Sequence, residues 1–460
     1  MKKMLGMMVG MLLMSSISEA AEIKFSGDFR VRGIYTDNLY DANSNSSPND
    51  QEAFADGRFR LKIATTVGMT SGVVVVDFTD SFADPHNPEC ATTGCGTGNY
   101  RFGTANFGGD YGIVGVREAH LKLDFGDTKL AFGRKQFVLG HSLVLDDTMD
   151  AIAGKMVSGP FHIMLATGKL RERSRSGTPG STGSDADLYI AKVGYAHAHD
   201  MKEPSKEASA ESQDGHRVGL FVAYLNDREP DLIPASDHTT LLAGGFTTDG
   251  RFGGVDLNFE IDVFSGKREF SAAPDIDLTG MNLLFGGKVD AGQGGKVGLT
   301  FLHTRGDEDK RDENNINGLS GNYVLGNILI NDDLSGSQDG MCPSPNGVRI
   351  GSGARGCALG TGITAVKLAI DLPEMANKNC DGELAVIWAK ATERPVIPGL
   401  EVDRNLGVEL DANATHRLDD NVSLALNLGY LFAGDFFEFG GANPGADNIF
   451  KAVASIRYIF

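Results

Sequence analysis

Apolar and polar side chains alternate along most of this chain. Ile23, Phe25, Phe29, Val31 and Tyr35 fall on one face of a segment whose other face carries Lys24, Ser26, Asp28, Arg30 and Arg32. Phe59, Leu61, Ile63 and Val67 alternate in the same way with Arg58, Arg60, Lys62 and Thr66. Further along, Val255, Leu257, Phe259, Ile261 and Val263 alternate with Asp256, Asn258, Glu260 and Asp262. A period of two marks a β-strand with one apolar and one polar face. The runs last about eight to twelve residues, where a soluble strand averages about five or six and a tilted bilayer strand needs about 9–11. The pattern predicts strands that cross a membrane.

Eighteen such segments can be placed between residues 23 and 460. Sixteen stays open, because 127–134 and 150–157 alternate weakly. Tight connections rich in Gly, Asp, Asn or Pro fall at 68–72, 126–127, 157–160, 249–250, 291–294 and 418–421. The connections between them are longer, above all 80–112, 134–150 and 304–363. Short periplasmic turns and long outer loops are the asymmetry of a bacterial outer-membrane barrel, and an even strand number fits it. In hydrocarbon every backbone N–H and C=O must be paired, so such a sheet has to close. The expected fold is all-β: a transmembrane antiparallel β-barrel of about 18 strands, its apolar face on lipid and its polar face on water. Tyr35, Tyr195, Tyr224, Tyr430, Phe432 and Tyr458 stand near strand ends, where an interfacial aromatic belt belongs.

The N-terminus changes the picture once more. Lys2 and Lys3 precede an apolar run from Met4 to Met14, and Ser18-Glu19-Ala20 supplies small residues for a signal peptidase. Residues 1–20 therefore read as a cleaved signal peptide and 21–460 as a single barrel domain. The five cysteines fit an oxidising compartment: Cys90 with Cys95 and Cys342 with Cys357 are expected as loop disulfides, leaving Cys380 over. No CxxC or CxxCH motif occurs, so neither a metal nor another cofactor is expected.

Composition then excludes some partners. With 61 acidic and 42 basic residues the formal charge is -19, the wrong sign for a sequence-independent nucleic-acid binder. Hydrophobic content of 41% is too high for a disordered chain. Enzyme motifs are missing. Gly140-His141-Ser142 begins like a nucleophile elbow but lacks its second Gly, and the acidic run from Asp307 to Glu313 misses the order of an EF-hand loop.

The last segment, Ile449 to Phe460, alternates and stops at a terminal Phe, which resembles the assembly signal of Gram-negative outer-membrane proteins. The stretch Phe132-Gly133-Arg134-Lys135-Gln136-Phe137-Val138-Leu139-Gly140-His141, followed by Asp150, is similar to a segment of bacterial porins and alginate-export-type barrels. That resemblance implies a passive diffusion channel narrowed by an inward-folded loop, in contact with outer-membrane lipids and passing ions and small hydrophilic solutes. It also allows a homo-oligomer. A substrate-specific transporter, or a surface-binding or scaffold barrel, is the alternative.

Three sets of residues are expected to matter. The loop at 134–150 is too apolar to stand in water, so it should fold into the lumen and bring Arg134, Lys135, His141, Asp146 and Asp147 to a constriction. Lys24, Arg30, Arg32, Arg58, Arg60 and Lys62 should form a basic inner wall on the first two strands. Asp256, Glu260 and Asp262 on the eleventh strand, with Glu409 and Asp411 on the sixteenth, should form an acidic wall facing it.

Overall fold

Each alternating run has one face for hydrocarbon and one for water, and a sheet with no free edge satisfies both. The computed structural model shows this closed sheet. It describes residues 22–38, 51–82, 104–105, 112–172, 185–196, 216–228, 236–270, 274–292, 294–307, 316, 318–319, 323–331, 361–394, 401–441 and 446–460. The first six strands are β1 (Glu22–Asp37), β2 (Gln51–Val67), β3 (Thr70–Phe82), β4 (Gly112–Asp124), β5 (Thr128–Leu139) and β6 (Leu145–Ser158). The next six are β7 (Phe161–Glu172), β8 (Asp185–Ala196), β9 (Arg217–Asp227), β10 (Ser236–Phe252), β11 (Val255–Phe270) and β12 (Ile276–Gly292). The last six are β13 (Gly295–Thr304), β14 (Ile363–Leu372), β15 (Cys380–Ala391), β16 (Asn405–Arg417), β17 (Val422–Ala433) and β18 (Ile449–Ile459). A two-residue piece, Thr104–Ala105, pairs with β4. Every neighbour in the ring is antiparallel, and β1 closes it by pairing with both β2 and β18.

The seam shows why certain residues are needed. The Gly27 N–H donates to the Phe460 carbonyl at 2.9 Å, and the Phe460 N–H returns the bond at 3.1 Å. A Cβ on Gly27 would lie 2.1 Å from the Arg60 carbonyl oxygen, so only glycine fits. The Phe460 ring stacks on Phe59 and Tyr458 at 6.1 and 5.9 Å. At the opposite side of the ring, Gly253 and Gly254 make a two-residue turn with φ of +58° and +88°, the left-handed geometry that matches hairpin twist.

The outer face is a belt of exposed apolar side chains, among them Phe25, Ile152, Leu165, Leu220, Val263 and Leu384. The inner face is not simply wet. Two apolar clusters sit inside the ring, one built around Leu325, Ile328, Leu329, Phe436 and Phe437, the other around Leu139, Val144, Leu145, Leu188 and Phe264. They come from segments that turn into the lumen.

One expectation is settled here and one is corrected. The weakly alternating stretches are full strands: β5 and β6 span 12 and 14 residues, which makes the ring eighteen rather than sixteen. The connection read as 134–150 shrinks to residues 140–144, since strand pairing runs on to Leu139 opposite Leu145. Arg134, Lys135, Asp146 and Asp147 are therefore strand residues. Residues 1–20, the four cysteines Cys90, Cys95, Cys342 and Cys357, and the acidic run beyond Asp307 lie outside the described residues. Cys380 is a free thiol at the start of β15.

Candidate functional site

The tip of the β5–β6 hairpin turns into the lumen because its inward side chains are apolar. Leu139, Leu143, Val144 and Leu145 are completely buried. Covering each contributes about 1.5–3 kcal/mol, so these four pegs dominate the docking. Polar contacts fix where the tip lands. The His141 backbone N–H and its Nδ1 both meet Glu260 Oε2 on β11, at 2.5 and 2.6 Å, and Nε2 meets Asp249 Oδ1 on β10 at 2.9 Å. Gly140 makes this approach possible, with φ at +67° and a hypothetical Cβ only 1.7 Å from Glu260 Oε1.

His141 is held as a cation. Burial pulls its pKa down, but the hydrogen bonds to Asp249 and Glu260 overcome that and raise it from 6.5 to about 10. A raised histidine pKa supports docking fully below the ordinary value and loses that support as pH climbs through the docked value. We expect open-channel current noise to grow between pH 7 and pH 10 in wild type, and the pH dependence to vanish in His141→Gln. Charge-assisted hydrogen bonds are worth about 1.5–3 kcal/mol each, less than the pegs together, so the tip loosens without leaving. A noise level flat in pH would remove the role given to His141.

A second segment enters from the long connection between β13 and β14. The Ile316 N–H donates to the Thr279 carbonyl at 3.0 Å, and the Leu319 N–H donates to the Val144 carbonyl at 2.8 Å. The segment therefore rests on the hairpin tip. Residues 325–329 are then clasped by β14, β16 and β18. Glu409 accepts from the N–H groups of Ile328 and Leu329, both at 2.7 Å, and Asp411 accepts from the Asn327 N–H at 3.2 Å. Lys451 and Lys367 donate to the Asn327 and Leu325 carbonyls at 2.7 and 3.1 Å. Phe436 and Phe437, on the 3₁₀ turn Asp435–Gly441, pack beside it.

This arrangement corrects the acidic wall. Glu260, Asp262, Glu409 and Asp411 do point inward, but they are 0–4% exposed beneath the two segments rather than open to water. The carboxylates of Glu260, Glu409 and Asp411 hold loop backbone, and Asp262 accepts from the Asn282 side-chain amide at 3.2 Å. Asp256 alone stays half open, bonded to Lys296 at 2.9 Å.

The basic wall is placed differently. Asp28 is shared by Arg58 at 3.1 Å and Arg457 at 2.8 Å, while Asp77 is shared by Arg60 at 2.6 Å and Arg117 at 3.7 Å. Glu118 also lies beside Arg60 and Arg117, and the exposed Lys62 adds its charge to this side of the lumen. Arg58, Arg60 and Arg117 keep 18–23% of their side chains exposed. Arg32 is different: it is buried against Asp56 at 2.5–2.8 Å. Lys24 pairs with Glu22 in the open, and Arg30 lies on the same inner face of β1.

The constriction set separates by face. Phe132 and Val138 are exposed on the outside while Phe137 and Leu139 are buried inside. Period two then puts Arg134 on the outer face, bonded to Asp150 at 2.8 and 3.0 Å, together with the Gln136–Asp146 pair. Lys135 and Asp147 take the inner face, and only His141 sits at the tip. Sequence reasoning missed Arg117, because a β-bulge between Val75 and Val76 breaks the alternation of β4 at that residue. It also missed Lys367 and Lys451, whose alternation within β14 and β18 was there to be read.

No family model and no curated protein matches this chain. Solved structures do. OpdL of Pseudomonas aeruginosa superposes with a TM-score of 0.52 over 95% of this chain and 99% of its own, at 12% identity. A BenF-like porin from Pseudomonas fluorescens Pf-5 gives 0.54 over 95% and 98%, at 11% identity. OpdK of Pseudomonas aeruginosa, solved with vanillate, gives 0.52 over 95% and 98%, at 12% identity. The chain thus has the eighteen-strand barrel fold of these outer-membrane porins.

Proposed function

We propose that this protein is an outer-membrane diffusion channel whose water path follows the basic wall of β1–β4 and β18 and favours small hydrophilic anions. The observation that carries the reading is the unequal treatment of the two walls. Glu260, Asp262, Glu409 and Asp411 are covered by lumen segments, whereas Arg58, Arg60, Arg117 and Arg457 on the other side remain partly exposed. Buried carboxylates bonded to backbone amides are remote from a permeating ion; exposed guanidinium groups are not. The net charge of -19 therefore does not decide the selectivity. Vanillate, the molecule solved with OpdK, is a carboxylate, and a small organic anion of that kind suits this wall. In this reading residues 1–20 direct export.

Reversal potentials under a potassium chloride gradient test it. Wild type should prefer chloride, and Arg58→Gln/Arg60→Gln/Lys62→Gln should move the reversal potential toward potassium. Asp28 keeps Arg457 in that variant, so the fold retains its buried pairing. An unchanged reversal potential in a folded barrel would show that the wall does not govern permeation.

A further inference from the structure

Strand register draws a boundary on the outside of the barrel. Across β13 to β17, Phe301, Val366, Trp388, Val408 and Phe432 stand opposite one another in a single row. One step toward the end that carries the long connections, His303 stands opposite Thr364 and Thr364 opposite Lys390. The positions between these rows, Leu302, Ala365 and Ala389, are buried in the lumen cluster, so both rows face outward. An apolar and aromatic row is followed directly by a polar one.

The polar row carries charge without a partner. The Lys390 ammonium lies 5.7 Å from the Trp388 ring centroid, and no carboxylate among the described residues pairs with it. Arg305, exposed and in register beyond His303 through its N–H bond to Met281, is likewise without an ion pair among the described residues. Elsewhere on the outer face the rule is different: Arg134 is neutralised by Asp150. His303 Nδ1 contacts Thr364 Oγ1 at 2.9 Å, which fixes the ring and leaves Nε2 on its far side. Two cations, an imidazole and a hydroxyl therefore span three strands, about 10 Å at ~4.8 Å per strand, immediately above an aromatic row.

We propose that Arg305, His303, Thr364 and Lys390 form a docking site for the phosphate of an anionic lipid headgroup in the outer leaflet. Unpaired cations at the height where hydrocarbon ends are matched by headgroup phosphate, and aromatic rings mark that height. Outer loops and short periplasmic turns assign the row to the external side. The site is independent of what crosses the lumen.

Trp388 is the only tryptophan in the chain, so its fluorescence reports on this site alone. The full barrel is reconstituted in phosphatidylcholine containing brominated phosphatidylglycerol, or brominated phosphatidylcholine at the same mole fraction. The anionic lipid should quench Trp388 with a relative binding constant roughly tenfold higher, the order expected for two cations at a charged bilayer surface. Arg305→Gln/Lys390→Gln should bring the ratio close to one, and Lys390→Arg should keep it. Unlabelled lipid A should displace the brominated lipid, while inorganic phosphate should not. Equal quenching by the two lipids in wild type overturns the proposal, as does a preference that survives the double variant. Displacement by inorganic phosphate would mark a free-anion site and overturn the lipid assignment.

Discussion

Removing residues 138–145 is expected to raise single-channel conductance severalfold while the barrel still folds. The hairpin tip supplies four fully buried aliphatic side chains to the lumen clusters, and no other part of the β5–β6 connection enters the bore. Its loss also deprives the Leu319 N–H of the Val144 carbonyl, which loosens the second segment. Eight residues of closed hairpin can go without cutting the ring, because β5 and β6 remain paired from Thr128 opposite Met156 to Gln136 opposite Thr148, with Phe137, Asp146 and Asp147 left to close the turn. Planar-bilayer recording of the heat-modifiable, folded species gives the answer. A conductance equal to wild type would mean that the tip does not set the bore.

Glu409→Ala is expected to be the most damaging single substitution in the lumen. It leaves the Ile328 and Leu329 N–H groups buried without an acceptor, at about 1–3 kcal/mol each, and removes the neighbour of Asp411. Apolar packing of Leu325, Ile328 and Leu329 opposes release, so the segment should be loosened more often than expelled. Limited proteolysis from the outer side should cut 323–331 in the variant and spare it in wild type, and the unfolding temperature should fall. Glu409→Gln, which retains one acceptor oxygen, should lie between them. Equal protease resistance in all three proteins would dismiss the clasp.

The barrel was legible because lipid imposes a strict period on its strands. Where Phe25 and Phe29 face hydrocarbon and Asp28 and Arg30 face the lumen, alternation survives in the sequence. It fades where the lumen itself is filled. Phe137, Leu139 and Leu145 point inward yet are apolar, since they meet other apolar side chains rather than water. Both faces of those strand ends are then greasy, and a two-residue period cannot be told from a loop. The inward direction of Glu260 and Glu409 was legible for the same reason as the strands. Their function as loop anchors was not, because the bonds join residues 119 and 80–81 positions apart. The pairing of Asp28 with Arg58 and Arg457 depends on cross-strand register, which no single strand contains.

The bond from Leu319 to the Val144 carbonyl makes the two lumen segments one heritable unit. Substitutions on either side of a shared buried contact are not expected to add, because each changes the cost of the other. A graft that imports one segment from another barrel of this fold strands a backbone donor or acceptor in an apolar interior. The hairpin tip and the 316–331 segment can therefore be exchanged together, or altered in compensating steps, but neither is free to drift alone. Selection for a wider or narrower bore acts on the pair.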